Sequence, residues 1–586
     1  MEKLGTRAFR LALATIVALL VIVRYGMAIA SQDVILAVDV CIFATAILFA
    51  IGILLPGRGT VFSQRMLGER WLFLFTMLFL AAVLLLLIRV ILSGFDASIF
   101  QILSLIALIY SALCAVRILL AVFGSWALDN LPPPVTLPVT FGIVIAVGSI
   151  LLILPQATPD GISPVDAVFT STSATCVTGL IVVDTSEDFT GFGQAVILIL
   201  IQVGGLGIMT FVAFFALFLG HSAGLKESIS LSRVMDSDFV SDLKRILTSI
   251  IGWTLAIEAA GAFILYLVWE SEPTGWSTGY TIWQSVFHSI SAFCNAGFSL
   301  DPAVAGASGA HANLEAFAHV PGIPLTIGIL IVLGGVGFLV LTAVGASMLN
   351  RLRTGSRRRL PHQAKLVLLI TAALIVVSFI IFIAMEWNGA LTGMSIPQKF
   401  SNAFLSAVTP RTAGFNTVPT ASLLPVVKWL FVALMFIGAS PGGTGGGVKT
   451  STIGLIFIGF LSLIRGKSST ELWKRRIPAH DLKRAAAVLL LGGLVFTLSA
   501  GILLALETGR AGSSVGEPFD YIFESMSAFG TVGLSTGVTP YLTFAGKVVI
   551  ILTMFLGRIG PAALAAATGR VAAERYRYPE ARITIG

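Results

Sequence analysis

Four short stretches of the chain repeat one pattern, and its residue types suit the handling of a bare cation. They run from Phe169 through Ser171 to Gly179-Leu180, from Phe287 through Ser289 to Gly297-Phe298, from Phe404 through Ser406 to Gly414-Phe415, and from Phe523 through Ser525 to Gly533-Leu534. Phe lies ten residues before each glycine, Ser eight before it, and Leu or Phe one after. The glycines follow one another at 118, 117 and 119 residues. A dehydrated alkali cation must find oxygens that replace its water shell, and rings of backbone carbonyls supply them. A residue without a Cβ can hold backbone conformations that aim carbonyls inward. Fourfold recurrence at fixed offsets sets these glycines apart from the packing glycines common in membrane helices. The expected ion-binding residues are therefore Val177, Thr178 and Gly179; Asn295, Ala296 and Gly297; Thr412, Ala413 and Gly414; and Thr531, Val532 and Gly533. Potassium is the expected cation.

The elements that would hold such a ring are apolar helices. Of the 586 residues 56% are hydrophobic and 11% charged, whereas a soluble domain is roughly a quarter charged. A span needs about 20 apolar residues. Such runs occur at about 136–155, 190–219, 246–270, 322–348, 364–387, 426–463, 483–507 and 544–573, with four more near 8–30, 34–55, 70–94 and 99–124. Each repeated pattern sits between two spans. Its apolar part is too short to cross and suits a re-entrant helix, followed by an extended stretch tolerated only where it lines protein or a water-filled cavity. The partially negative C-terminal ends of those helices would favour a cation at the centre. The expected fold is all-α integral membrane, with four helix–pore helix–helix repeats around a central pore and about four extra N-terminal transmembrane helices. Boundaries fall at 1–130 (accessory helices, closed by Pro132-Pro133-Pro134), 131–245, 246–362, 363–480 and 481–586.

Positive charge orients the chain. Lys226, Arg233, Lys244 and Arg245 crowd one connection, Arg351, Arg353, Arg357 to Arg359 and Lys365 a second, and Arg465, Lys467, Lys474, Arg475, Arg476, Lys483 and Arg484 a third. Arg570, Arg575, Arg577 and Arg582 mark the tail, while alternate connections carry Asp184, Glu187, Asp188, Glu270, Glu272, Asp301 and Glu315. The basic side is expected to be cytoplasmic, both termini included. Residues 1–30 are read as a first span rather than a cleaved signal, because so many spans follow. Cys41, Cys114, Cys176 and Cys294 lack disulfide or metal spacing and are expected to be free thiols. No HExxH, CxxC or paired-carboxylate cluster speaks for an enzyme. No helix carries the regularly spaced arginines of a voltage sensor.

With these motifs, and with Gln202-Val203-Gly204-Gly205-Leu206-Gly207 and Gly557-Arg558-Ile559-Gly560-Pro561 after the first and fourth patterns, the chain over about 136–575 resembles the Trk/Ktr/HKT superfamily of potassium transporters, and most of all its bacterial Ktr/Trk membrane subunits. The resemblance implies a single-chain relative of tetrameric potassium channels in the plasma membrane, with one pore per subunit of a homodimer. It also implies gating by a cytosolic nucleotide-binding ring protein, no covalent cofactor, and potassium, with sodium as a further candidate, as the transported ion. A serine at the first filter glycine marks sodium-selective plant members, so Gly179 favours potassium. The four loops are unequal, which loosens the selectivity expected of a strict fourfold filter.

The run at 426–463 is interrupted by seven glycines or prolines within 438–447, which a helix does not continue cheaply. A broken helix at membrane depth marks a pathway or site. By the resemblance, Gly442, Gly443, Thr444, Gly445, Gly446 and Gly447, with Lys449, form an intramembrane gate below the filter; the other reading is a passive kink between two half-helices. Arg558 lies mid-span, where a charge faces the interior or a watery cavity. Two compatible readings stand for it: a positive barrier in the pore, or a partner for backbone carbonyls of the broken loop. Lys449 could act similarly or simply snorkel, and Glu258 could pair with either. Asp184, Glu187 and Asp188 would either gather cations at the outer mouth or form an ordinary solvated loop. The alternatives to a potassium pathway are a sodium-permeable or non-selective cation transporter, and an unrelated secondary transporter with one midplane site.

Overall fold

The computed structural model describes residues 133–207, 243–300, 313–355, 360–467, 469–508 and 516–560, together with 38–47 and residues 16, 20, 106, 107 and 110. The expected accessory unit at 1–130 lies almost wholly outside these residues, apart from an apolar helical segment Val38–Ile47. The basic stretch at 208–242 with Lys226 and Arg233, residues 356–359, Asp301, Cys114, Pro561 and the basic tail also lie outside them.

Among the described residues the chain is almost entirely helical, in four successive groups of one order. The first is α1 (Pro133–Ile153), α2 (Pro164–Thr175) and α3 (Gly191–Leu206). The second is α4 (Leu243–Glu270), α5 (Thr278–Phe293) and α6 (Gly322–Val336), with α7 (Phe338–Thr354) continuing from α6. The third is α8 (His362–Glu386), α9 (Ile396–Val408), α10 (Pro425–Phe436) and α11 (Thr450–Ile464). The fourth is α12 (Ala479–Glu507), α13 (Pro518–Gly530) and α14 (Phe544–Ile559), entered through a small hairpin of β1 (Glu471–Leu472) and β2 (Arg475–Arg476). Ser249–Glu270, His362–Glu386 and Ala479–Glu507 are each long and apolar enough to cross a membrane.

Local sequence explains where the short helices begin. Ser163 accepts from the Asp166 amide ahead of Pro164, and Ser277 from the Tyr280 amide. Pro397 and Pro518 stand in the first turns of α9 and α13, where a missing N–H costs nothing because that donor has no helical partner. Large apolar side chains face outward on the long helices, and buried hydroxyls join the apolar core on the short ones. Ser and Thr fill the centre: Thr170, Ser171, Thr172, Ser173 and Thr175 on α2 are all buried, as are Ser285, Ser289 and Ser291 on α5. Leu255, Phe263, Leu369 and Leu490 on the long helices face outward, 60 to 72% exposed. An apolar solvent outside and hydrogen-bonded backbone inside demand that arrangement.

Two hydroxyls of the repeated pattern dock their short helices. Ser171 Oγ donates to Ile145 O at 2.8 Å, and Ser289 Oγ to Glu258 O at 2.7 Å. Each reaches the long helix of its own group beside a glycine, Gly148 or Gly261, where an added Cβ would strike the serine. The fourth group meets the first through Lys547 Nζ and Asp166 Oδ1, 2.6 Å apart.

One expected span is corrected. The run at 322–348 is not a continuous helix but breaks between α6 and α7, bending by 101°. Gly337 there has φ 96° and ψ 142°, and its missing Cβ leaves room for Pro441 O. The Phe338 amide, freed from the helix, donates to Gly442 O at 3.0 Å. Gly207 (φ 71°) and Gly560 (φ 84°) end α3 and α14 in the same way. The runs expected at 190–219 and 544–573 therefore leave the α-helix at Gly207 and Gly560.

Candidate functional site

Each short helix ends in a turn built on the same backbone conformation. Val177, Asn295, Thr412 and Thr531, two residues before the four glycines, have φ of 56°, 61°, 70° and 50°. Non-glycine residues rarely enter this left-handed region, and a β-branched one almost never does without support. The glycines themselves have φ of 91°, 71°, 76° and 91°. Alternating positive with negative φ turns successive carbonyls toward one side of the strand instead of alternate sides.

The amides are tied back into the protein. Thr178 N donates to Ser173 O (2.8 Å), Ala296 N to Ser291 O (2.7 Å), Ala413 N to Thr409 O (3.0 Å) and Val532 N to Ser527 O (2.8 Å). The Ser173 and Ser527 hydroxyls accept from Gly179 N at 3.1 Å and Gly533 N at 3.0 Å. With the N–H groups held from behind, the carbonyls are left to face elsewhere.

The glycines meet in a closed order. A Cβ on Gly179 would collide with Ala296 O, one on Gly297 with Ala413 O at 2.8 Å, one on Gly414 with Val532 O at 2.5 Å, and one on Gly533 with Thr178 O. First touches second, second third, third fourth and fourth first. Only a residue without a side chain fits at any of the four corners. Among the described residues no group of three or more His, Cys, Asp or Glu could hold a metal ion. The oxygens on offer are carbonyls and hydroxyls.

The loop at 437–449 lies against one end of these segments. Its base is pinched by a bridge between Ile437 and Val448, with Gly438 N donating to Val448 O at 2.9 Å. Thr444 Oγ1 donates to Phe293 O at 3.3 Å, and Gly446 N to Thr531 Oγ1 at 3.0 Å. A Cβ on Gly445 would meet the Thr412 hydroxyl. Ser440 N and Thr444 N donate to Gly335 O and Gly334 O at the α6 break, at 3.0 and 3.3 Å. Lys449 Nζ folds back onto Gly445 O at 2.7 Å. Arg558 spans the gap between groups, donating through Nη1 to Thr444 O and through Nη2 to Gly204 O. Gly442, Gly443 and Gly447 complete the loop, and Gly442 and Gly447 have positive φ.

Glu258 pairs with neither Arg558 nor Lys449. Its carboxylate accepts from Gln202 Nε2 at 3.1 and 3.4 Å and lies 3.9 Å from Cys294 Sγ. A neutral carboxamide on the neighbouring α3 reaches it, while Arg558 is already committed to two carbonyls. Cys41, Cys176 and Cys294 are free thiols. Asp184 closes its own turn, accepting from Ser186 N at 2.7 Å. Beyond the glycine end, burial raises the Glu315 carboxyl above its ordinary value, against a hydrogen bond from Asn416 that lowers it.

Several supporting residues escaped the sequence reading. Ser173, Ser291 and Ser527 stand four residues after the repeated Phe, with Val408 in the third stretch, and that recurrence was available to find them. One residue after the same Phe, His288 Nε2 accepts from Ser299 Oγ at 2.9 Å, and Glu524 accepts from Ser535 Oγ, Thr536 N (3.2 Å) and Thr539 Oγ1 (2.9 Å). Both brace the chain just past their glycine.

Comparison with known proteins gives the family and the fold. Residues 135–570 match the family model described as TrkH, cation transport protein. The chain is 37% identical over 457 residues to the Ktr system potassium uptake protein B of Bacillus subtilis, covering 78% of this chain and 97% of that one. It is 33% identical over 467 residues to the potassium/sodium uptake protein NtpJ of Enterococcus hirae, covering 78% and 98%. The crystal structure of the potassium transporter TrkH from Vibrio parahaemolyticus shares its fold, with a TM-score of 0.58 at 17% identity over 86% of this chain and 98% of that one. The chain is thus a membrane transport protein rather than an enzyme, and it belongs to the TrkH family of cation transport proteins.

Proposed function

We propose that this chain carries potassium across the cytoplasmic membrane through a pore lined by the four glycine turns, with the loop at 437–449 and Arg558 as its gate. The observation that carries the reading is the closed order in which the glycines touch. Four backbone turns of matching φ, each held from behind by its amides, present carbonyls to one axis, and such rings replace the hydration shell of a monovalent cation. The four helical groups then serve as four pore repeats, with α2, α5, α9 and α13 as pore helices. Exposed Arg351, Arg353, Lys365, Lys474, Arg475 and Arg476 mark the cytoplasmic side. They offer an acidic cytosolic partner, such as the ring subunit that the resemblance implies, a surface of opposite charge.

Sodium is the second cation this reading admits. The turns differ in sequence, and a relative is named for potassium/sodium uptake. Uptake by purified protein in liposomes, with potassium and sodium varied inside and out, separates the two. The expected result is saturable potassium uptake that a tenfold excess of sodium depresses weakly. Equal uptake of both ions would move the assignment to a non-selective pathway.

A further inference from the structure

The end of the glycine ring away from the gate loop is capped by one side chain. Asn313 Nδ2 donates to Gly414 O at 2.9 Å and to Gly297 O at 3.3 Å, the carbonyls of two neighbouring corners. The backbone that carries it is fixed. Leu314 N donates to Asn416 O at 2.9 Å, the Leu314 side chain is fully buried in a cluster with Phe317 and Phe415, and Asn416 Nδ2 donates to Glu315 Oε1 at 2.8 Å. The carboxamide can still rotate, because its terminal torsion is broad and roughly twofold. Its Oδ1 is buried with no hydrogen-bond partner among the described residues, and such an acceptor is costly to leave unpaired.

An NH2 group shared between two carbonyls does for them what a cation does: it supplies positive charge to their lone pairs. A half-turn of the amide would bring Oδ1 there instead. Three oxygens facing one another repel unless a cation sits among them. All three are neutral, two main-chain carbonyl oxygens and one carboxamide oxygen, and the nearby Glu315 carboxylate engages Asn416. Neutral oxygens suit a weakly hydrated monovalent ion better than a divalent one, which keeps its water or takes carboxylates.

We propose that Asn313 determines cation affinity at the outer end of the pore: its amide caps the Gly297 and Gly414 carbonyls and turns to give Oδ1 to a monovalent cation arriving among them. The proposal rests on reading the glycine turns as the filter and deepens that reading to a single outer ion site.

The test is potassium uptake in proteoliposomes over a range of external potassium, for the native chain, Asn313→Asp, Asn313→Leu and Gly179→Ser, each checked for monodisperse elution. Asn313→Asp keeps the oxygen, loses the donor and adds a negative charge, so the variants are compared at about 0.5 M choline chloride, where general attraction of cations to that charge is screened; Asn313→Leu loses both oxygen and donor. KM is expected to rise about fivefold in Asn313→Leu with maximal rate little changed, and to stay at or below the native value in Asn313→Asp. A merely structural donor would make the two variants equally damaging, and that result, or an unchanged KM in both, would overturn the proposal. Asn313→Ala takes the place of Asn313→Leu should the latter not fold. Gly179→Ser separates the two levels of the argument. If it leaves the potassium-to-sodium preference unchanged, the filter reading itself fails; if it shifts the preference while Asn313→Leu leaves KM alone, only the cap fails.

Discussion

Gly179 has no space for a side chain, because φ of 91° and the Ala296 carbonyl both exclude one. Adding a Cβ and a hydroxyl in Gly179→Ser strains the turn by about 1–3 kcal/mol and pushes a neighbouring carbonyl out of line. The potassium-to-sodium preference in liposome flux is expected to fall about tenfold or more; an unchanged preference would remove Gly179 from the filter. Arg558 calls for a different outcome. It holds the loop at 437–449 through Thr444 O and the end of α3 at Gly204 O, and hydrogen bonds from a charged donor are worth about 1.5–3 kcal/mol each. Arg558→Ala is expected to raise flux about tenfold without altering ion preference, whereas a shift in preference at constant flux would make it part of the filter. At this scale the sequence was partly legible. Repetition exposed the glycines because four copies of one geometric demand leave the same residue at the same offset. The left-handed turns at Val177, Asn295, Thr412 and Thr531 were not readable, since three different residue types adopt a conformation imposed by the hydrogen bonds around them. The same holds for Asn313, whose partners lie 16 and 101 residues away in two different segments.

The elements divide by how local their causes are. Helix starts at Ser163, Ser277 and Pro518, and the interruption after Phe436, follow from caps, proline and a run of glycines, all visible in the residues themselves. The break at Gly337 does not. Gly334, Gly335 and Gly337 could equally be packing glycines in a straight helix, and the bend exists because the loop at 437–449 occupies the space and binds the freed Phe338 amide. The pairing open to Glu258 failed for a related reason, as Arg558 is drawn to carbonyls that only the assembled loop supplies. The loop carries its own test. Deleting residues 442–447 removes the contacts to Phe293 O and to Arg558 and is expected to raise ion flux while leaving potassium-to-sodium preference as it was. Flux unchanged or lost in a deletion variant that elutes normally would contradict a gating role.

For the whole molecule, closure is the property that matters, since four groups in a row become a pore only when the last meets the first. The Lys547–Asp166 pair makes that contact with side chains only 16 and 17% exposed. Lys547→Met leaves a carboxylate half-stranded and is expected to lower stability by about 1–3 kcal/mol, read as a fall in melting temperature; Asp166→Asn in the same chain should restore most of it. An additive double variant would show that the pair does not couple the first and fourth groups. The central claim, that the four turns offer main-chain oxygens to a bare alkali ion on a common axis, has a more direct test. Crystals grown in rubidium or thallium would be measured for anomalous scattering. The account expects peaks on the axis between the carbonyls of residues 177–179, 295–297, 412–414 and 531–533, at similar distances from all four segments. Strong peaks elsewhere in the protein, with none among these carbonyls, would contradict it.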